Sequence, residues 1–268
     1  MGFADFLGFA FIQRAYLAGS FIAVLCAMLG LFLVLRRFSL IGDGLSHVSF
    51  GGIALGLFLG LEPLWVALPI SVAASSLILV LSRRARLYGD AAIAIVSSSG
   101  IALGIVLASL AGGFNVDLMS YLFGNILAVS PTETVLSVIL SFVVLAAIAF
   151  LYHDLFSVAF DEEYATVSGI RTGAVNILLA TLTAVSVVLA VKVVGVMLVS
   201  ALLVLPAVSA LQVARGFRGA LLLSSCIAVL SVLVGITVSF LADIPAGGTV
   251  VLVNLLVFFV LLAWKRIR

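Results

Sequence analysis

AYLAGSFIAVLCAMLGLFLVLRR, residues 15–37, is a stretch of uncharged residues closed by Arg36 and Arg37. At about 1.5 Å per residue, the uncharged part makes a helix of about 31 Å, close to the roughly 30 Å hydrocarbon core of a bilayer. The run is apolar on every side rather than along one stripe, the pattern of a helix surrounded by lipid or protein. Comparable runs follow at 40–61, 64–81, 91–111, 134–152, 172–191, 193–214, 219–242 and 249–264, separated by charges and Gly/Pro clusters. Nine spans of roughly 20 residues take up about 180 positions, which leaves only short loops in a chain of 268 residues. The weakest division is between the sixth and seventh runs, where only Lys192 and Gly195 intervene. If those two runs form one broken element, the count is eight. The expected fold is an all-α polytopic membrane protein with about nine transmembrane helices, a single domain over residues 1–268.

Composition points the same way. Hydrophobic residues make up 65% of the chain and charged residues 9%, against under about 50% and about 25% in soluble domains. A soluble fold of this size has too little polar surface to cover so many apolar side chains. The formal charge of +2 offers no basic footprint for nucleic acid. Cys26 and Cys226 both lie in apolar runs and read as small buried hydrophobes rather than as a disulfide or metal pair. The first apolar run is too long for a cleavable signal. Between the fourth and fifth runs, LMSYLFGNILAV (118–129) is apolar but too short to cross, and reads as an interfacial or re-entrant helix.

Lys and Arg set the orientation, because cytoplasmic loops are enriched in them. With nine spans, one side receives Arg36, Arg37, Arg83, Arg84, Arg86, Arg171, Arg215, Arg218, Lys265, Arg266 and Arg268, and the other only Arg14 and Lys192. The N-terminus is therefore expected outside and the C-terminus in the cytoplasm.

Most carboxylates fall at loops, but Asp43 opens the second span, four residues before His47. Four residues turn a helix by about 400°, so both side chains share one face, one turn apart. An aspartate oxygen and a histidine nitrogen so placed make half a site for Zn²⁺ or Mn²⁺. A helix running unbroken from Arg37 would carry His47 about 15 Å inward, near the midplane. A carboxylate at depth costs about 2.5–3.5 kcal/mol on insertion scales and normally faces water or a partner. The alternative is that Asp43 caps a short helix from Gly42 and holds His47 structurally. Gly52, Gly56 and Gly60 follow at every fourth residue, a smooth face expected to serve as a helix-packing seam.

HDLFSVAFDEEYATVSGIR, 153–171, is the longest connection on the basic side. If helical, it places Phe156, Phe160, Tyr164 and Val167 on one stripe opposite Asp161, Glu162 and Glu163. Such a helix either docks into a soluble partner or lies on the bilayer. His153 reads as a boundary residue, and Asp243, Pro245 and Gly247 as a tight outer turn. Phosphate-loop, HExxH and G-x-S-x-G patterns are absent from the sequence, so catalysis on a substrate is not expected.

Five stretches in order, 35–56 (LRRFSLIGDGLSHVSFGGIALG), 120–127 (SYLFGNIL), 160–170 (FDEEYATVSGI), 193–210 (VVGVMLVSALLVLPAVSA) and 243–250 (DIPAGGTV), carry a resemblance over nearly the whole chain. The sequence resembles the membrane permease subunits of bacterial ABC-type zinc, manganese and iron importers. The resemblance implies a multi-pass protein of the bacterial cytoplasmic membrane that is not itself an enzyme. It implies a second copy of the chain, two cytoplasmic ATPases that hydrolyse ATP, and an extracytoplasmic metal-binding protein. It sets Asp43 and His47 as metal ligands, with Zn, Mn or Fe as transported substrate and no resident cofactor. It sets 160–170 as the ATPase-coupling segment, with Phe160, Asp161, Ala165 and Gly169 at its motif positions. Delivery is expected near the Asp243 turn. The competing reading is a secondary transporter or channel for a divalent cation, with Asp43 and His47 as an ion relay and no need of an ATPase.

Overall fold

The structure, a computed structural model, describes residues 9–84, 88–111, 113, 116–124 and 130–267. Among these its regular elements are all helical: α1 (Ala10–Leu35), α2 (Ile41–Leu59), α3 (Pro63–Arg84), α4 (Gly89–Leu110), α5 (Val116–Phe123), α6 (Pro131–Phe150), α7 (Tyr152–Phe160), α8 (Glu162–Val167), α9 (Thr172–Val194), a 3₁₀ turn (Val196–Leu198), α10 (Val199–Val213), α11 (Phe217–Ala242) and α12 (Ala246–Ile267). Eight of them, all but α5, α7, α8 and α10, are long and apolar enough to cross a membrane.

The stretch 193–214 differs from a simple ninth span. It breaks at Gly195, whose φ of 88° lies where only glycine rests without strain, and resumes as the 15-residue α10. The chain nevertheless passes from one end of the bundle to the other. Gly195 lies against the backbone of Phe123 and Gly124, while Gln212 at the far end of α10 accepts a bond from Lys265 at 3.0 Å. Beyond it, the Phe217 ring lies 4.9 Å from that of Phe156. Fifteen helical residues cover only about 22 Å. That suffices because Leu202, Leu203, Ala207, Ser209 and Ala210 are buried in protein, so the helix need not match the thickness of a lipid layer.

α2 is clamped between α3 and α4 by small residues. A Cβ on Gly52 would fall 2.7 Å from Ala67 Cα, and one on Gly56 2.8 Å from Pro63 Cα. On the other side a Cβ on Gly51 would fall 2.7 Å from the Gly100 carbonyl oxygen, and one on Gly100 2.6 Å from Val48 Cα. Gly60 departs from the expected seam. It closes α2 with φ 66°, donates its N–H back to Gly56 and Leu57, and has open space where a Cβ would stand. The four-residue period outlasts the helix, because the chain must reverse into α3 at Pro63.

Outward faces are apolar. Leu103 and Val106 of α4, Phe142 of α6, Leu222 of α11 and Leu252 and Leu256 of α12 are all exposed, an arrangement that suits lipid and not water. Cys26 is buried, whereas Cys226 is exposed on α11, contrary to the expectation that both are interior.

Candidate functional site

Asp43 stands in the first turn of α2, and Leu40 holds the N-cap position, so Asp43 does not cap a helix from Gly42. Its Oδ2 lies 3.5 Å from His47 Nε2, long for a hydrogen bond. The side chains are 44% and 18% exposed, so the pair opens outward from the bundle rather than sealing within it. The helix does not run unbroken from Arg37 as the sequence reading assumed. Residues 36–40 form turns with Arg37 at φ 58°, α2 begins at Ile41, and His47 lies about 9 Å along it.

The backbone under the pair is held from several sides. Ser46 Oγ donates to the Asp43 carbonyl at 2.8 Å, Ser49 Oγ donates to Leu45 at 2.7 Å, and Ser49 and Ser71 hydroxyls meet across α2 and α3 at 2.9 Å. Gly44 abuts Ile93, and Gly100 lets α4 reach the His47 carbonyl. The absence of side chains at these glycines brings the three helices into backbone contact, so the two donors sit on a stiff support. Among the described residues no group of three or more His, Cys, Asp or Glu gathers around them. One chain thus offers two donors where Zn²⁺ takes four and Mn²⁺ commonly six.

The connection expected as one amphipathic helix over 153–171 is two. α7 ends at Phe160, and Asp161, extended at φ −151° and ψ 101°, starts α8 by accepting the Tyr164 N–H on Oδ1 at 2.9 Å. An aspartate satisfies the free donors of a helix start better than it continues a helix, which is why the break falls there. α8 closes on Gly169 at φ 86°, with Ile170 N–H bonded to Ala165 C=O at 3.0 Å and Gly169 N–H to Thr166 C=O at 3.1 Å. Ala165 is fully buried, while Phe160, Tyr164 and Val167 are exposed. Phe156 leaves the exposed stripe and packs 4.6 Å from Phe160 and 4.9 Å from Phe217. His153 is exposed on α7, edge-on to Tyr152.

Two polar clusters escaped the sequence reading. At the α7–α8 end, Arg36 Nη2 bonds Glu162 Oε2 at 2.7 Å, Asn176 Nδ2 donates to Glu162 Oε1 at 2.7 Å, and Arg36 Nη1 donates to Asn176 Oδ1. Asn176 therefore faces this cluster and not the Asp43 pair. At the α5 end, Lys192 Nζ lies 3.0 Å from Glu133 Oε1, donates to Tyr121 Oη at 3.2 Å, and sits 4.4 Å from the Tyr121 ring centre. Burial pushes the Tyr121 hydroxyl up from its ordinary range, while the Lys192 ammonium pulls the other way. In sequence the charged members, Arg36, Glu133, Glu162 and Lys192, carried only a loop-charge signal, and Tyr121 and Asn176 carried none.

The turn between α11 and α12 has Asp243 in the left-handed region at φ 54°, and Ser239 Oγ donates to the Ile244 carbonyl at 2.5 Å. Gly247 packs against the carbonyls of Val194 and Phe123, so the turn, the Gly195 break and the end of α5 meet. Beside them a cavity of about 390 Å³ is lined by Ile12, Gly124, Ser239, Asp243 and Pro245. Asn125 and the rest of 125–129, the end of the short apolar segment, lie outside the described residues.

Comparison with known proteins gives a consistent result. The family described as "ABC 3 transport family" matches residues 8–265. The manganese transport system membrane protein MntC of Listeria monocytogenes is 30% identical over 252 residues, 94% of this chain and 90% of that one. The high-affinity zinc uptake system membrane protein ZnuB of Haemophilus influenzae is 31% identical over 260 residues, 97% of this chain and 99% of that one. The solved structure of PsaBC from Streptococcus pneumoniae in complex with Fab superposes with a TM-score of 0.88 at 30% identity, covering 97% of this chain and 95% of that one.

Proposed function

The chain belongs to the ABC 3 transport family, and from that premise we propose that it is the permease subunit of an ATP-driven importer of a divalent transition metal. Manganese and zinc are the foremost substrates, since relatives similar to this chain over nearly its whole length carry those names; iron is the third candidate. Two copies of the chain pair in the bacterial cytoplasmic membrane, N-terminus outside and C-terminus in the cytoplasm. Hydrolysis belongs to separate cytoplasmic ATPases, and an extracytoplasmic protein delivers the ion near the Asp243 turn.

The observation that carries the proposal is the Asp43–His47 pair, two donors on one open face with Nε2 and Oδ2 3.5 Å apart. Brought together by the two copies, two such pairs give four donors, enough to replace much of an ion's hydration shell. A carboxylate and an imidazole from each side bind weakly enough to let the ion go, as a conducting site must. Ligation needs the carboxylate ionised and the imidazole neutral, so acid opposes transport.

The coupling role of residues 153–171 rests on the exposure of Phe160, Tyr164 and Val167 beside buried Ala165, an apolar surface suited to a soluble partner's groove. Asp161 and Gly169 shape that surface by starting and stopping α8.

The test is uptake of labelled Zn²⁺, Mn²⁺ and Fe²⁺ in cells deleted for their own high-affinity importers. The chain is expressed with its cognate ATPase and binding protein as wild type, Asp43→Ala or His47→Ala, and with an ATPase-dead partner. Saturable uptake that needs the ATPase and is lost in both variants is expected. Uptake indifferent to the ATPase would replace this reading with a secondary transporter.

A further inference from the structure

Arg36, Glu162 and Asn176 close a triangle in which each side chain bonds both others. Each comes from a different part of the chain. Arg36 is the C-cap of α1, Glu162 opens α8, and Asn176 lies in the second turn of α9. The Arg36 side chain is 11% exposed and that of Glu162 43%, so the triangle has a buried root and a half-exposed tip. A guanidinium with so little water around it depends on its partners, and a planar fork bonded to two groups fixes direction as well as distance.

From the root, a tight turn runs straight to α2. Arg36 N–H bonds Phe32 C=O at 3.1 Å, Phe38 N–H bonds Leu33 C=O at 2.9 Å, and Ile41 N–H bonds Phe38 C=O at 3.1 Å. The Arg36 guanidinium also stands 5.8 Å from the Phe38 ring centre. This hydrogen-bonded turn leaves little slack between Arg36 and the first turn of α2, where Asp43 stands. The tip belongs to α8, whose own Tyr164 and Val167 are part of the exposed apolar surface.

We propose that the Arg36–Glu162–Asn176 triangle is the link through which displacement of the 160–170 segment reaches the helix carrying Asp43 and His47. Arg36 and Glu162 are positioning residues: neither is placed to touch the ion, and Glu162 holds the segment to the bundle instead of presenting it to the ATPase. The coupling passes by hydrogen-bonded contact from α8 to the α1–α2 turn, a physical route with a small number of named joints. This inference rests on the permease reading and adds to it the route by which ATP work arrives at the metal pair.

The test uses the full complex of permease, ATPase and binding protein in proteoliposomes, with Mn²⁺ and Zn²⁺ as probes. The readout is ions moved per ATP hydrolysed, alongside co-purification of the ATPase. Glu162→Gln and Arg36→Gln are expected to keep the ATPase bound and hydrolysing while the transport ratio falls by about tenfold. Arg36→Lys, which keeps the charge but not the fork, is expected to fall in between. A merely structural role would lower assembly and leave the ratio of assembled complexes intact. An unchanged ratio in Glu162→Gln overturns the link, and so does loss of ATPase binding, which would put Glu162 in the docking surface. If Arg36→Gln does not fold, Glu162→Gln decides alone, since its half-exposed carboxyl is replaced by a group of the same shape. Failure of the wild type to move either ion with ATP sinks the permease reading itself, a result separate from any change in the variants.

Discussion

Lys192 reaches across the bundle to the Glu133 carboxylate at 3.0 Å, with the two side chains only 18% and 11% exposed. Glu133 works twice. Its Oε2 accepts the Ser130 N–H at 2.8 Å while the Ser130 hydroxyl accepts the Glu133 N–H, so the same carboxylate caps α6 and neutralises the end of α9. Losing one partner leaves the other charge unpaired where water reaches it poorly. Glu133→Ala is expected to cost about 2–3 kcal/mol, the sum of a lost cap and an orphaned ammonium discounted for the remaining exposure. The double variant Glu133→Leu/Lys192→Met is expected to recover most of that. Thermal unfolding in detergent reads both, and a double variant as unstable as the single would argue against the pairing.

The proposed metal pair, Asp43 and His47, makes a second prediction. Asp43→Ala and His47→Ala each remove half of the chain's donors and are expected to lower uptake of Mn²⁺ or Zn²⁺ by about a hundredfold, the size of effect seen on losing groups that orient a metal site. Membrane levels are expected to stay normal, because both side chains keep some exposure. Acidification is expected to weaken wild-type uptake, since a protonated imidazole has no lone pair to give. Measured initial rates that rise on acidification would contradict a ligand role for His47.

Gly169 supplies a third. At φ 86° any side chain is strained, and the position is exposed with open space around it. Gly169→Ala is expected to cost about 1 kcal/mol through backbone strain alone. Gly169→Arg adds bulk and charge beside the exposed apolar surface and is expected to abolish association with the ATPase while the membrane bundle stays folded. Co-purification against a circular-dichroism control separates the two effects, and normal association would remove the segment from the docking surface.

The glycines of α2 and α4 divide into two kinds, which gives a fourth prediction. Gly100→Val pushes side-chain atoms into Val48 Cα, where backbone cannot yield, and is expected to prevent close docking of α2 on α4 and to leave the protein misassembled. Gly60→Val meets no neighbour and suffers only the strain of its left-handed cap. Yield and monodispersity after solubilisation are expected to collapse for the first and to fall modestly for the second. Equal damage at both positions would refute the distinction.

Much of the architecture was readable in one dimension, because lipid imposes a rule on every local stretch. A run such as 15–35 must satisfy its backbone internally and present apolar side chains all round, so helix and span follow from composition alone. The i, i+4 relation of Asp43 and His47 is likewise local and follows from helix geometry. The short α10 was harder to read, since a helix buried in protein need not span the bilayer thickness when neighbouring helices cover its ends. The break at Asp161 and the cap at Gly60 were missed because apolar periodicity ran on past the point where the chain turned.

What only the tertiary structure decided is which distant polar groups meet. Arg36 finds Glu162 across 126 positions and Asn176 across 140, and Lys192 finds Tyr121 across 71. No periodicity carries that information. In a bundle with few charges, each one that is withdrawn from water must find a partner, and the packing of whole helices chooses which partner is within reach. The sequence by itself determined a helical membrane bundle with an Asp–His pair at the head of one helix. The stiffness of its support and the meeting of Arg36, Glu162 and Asn176 at the α7–α8 end were decided by backbone contacts at glycines and by side chains that only the assembled fold brings together.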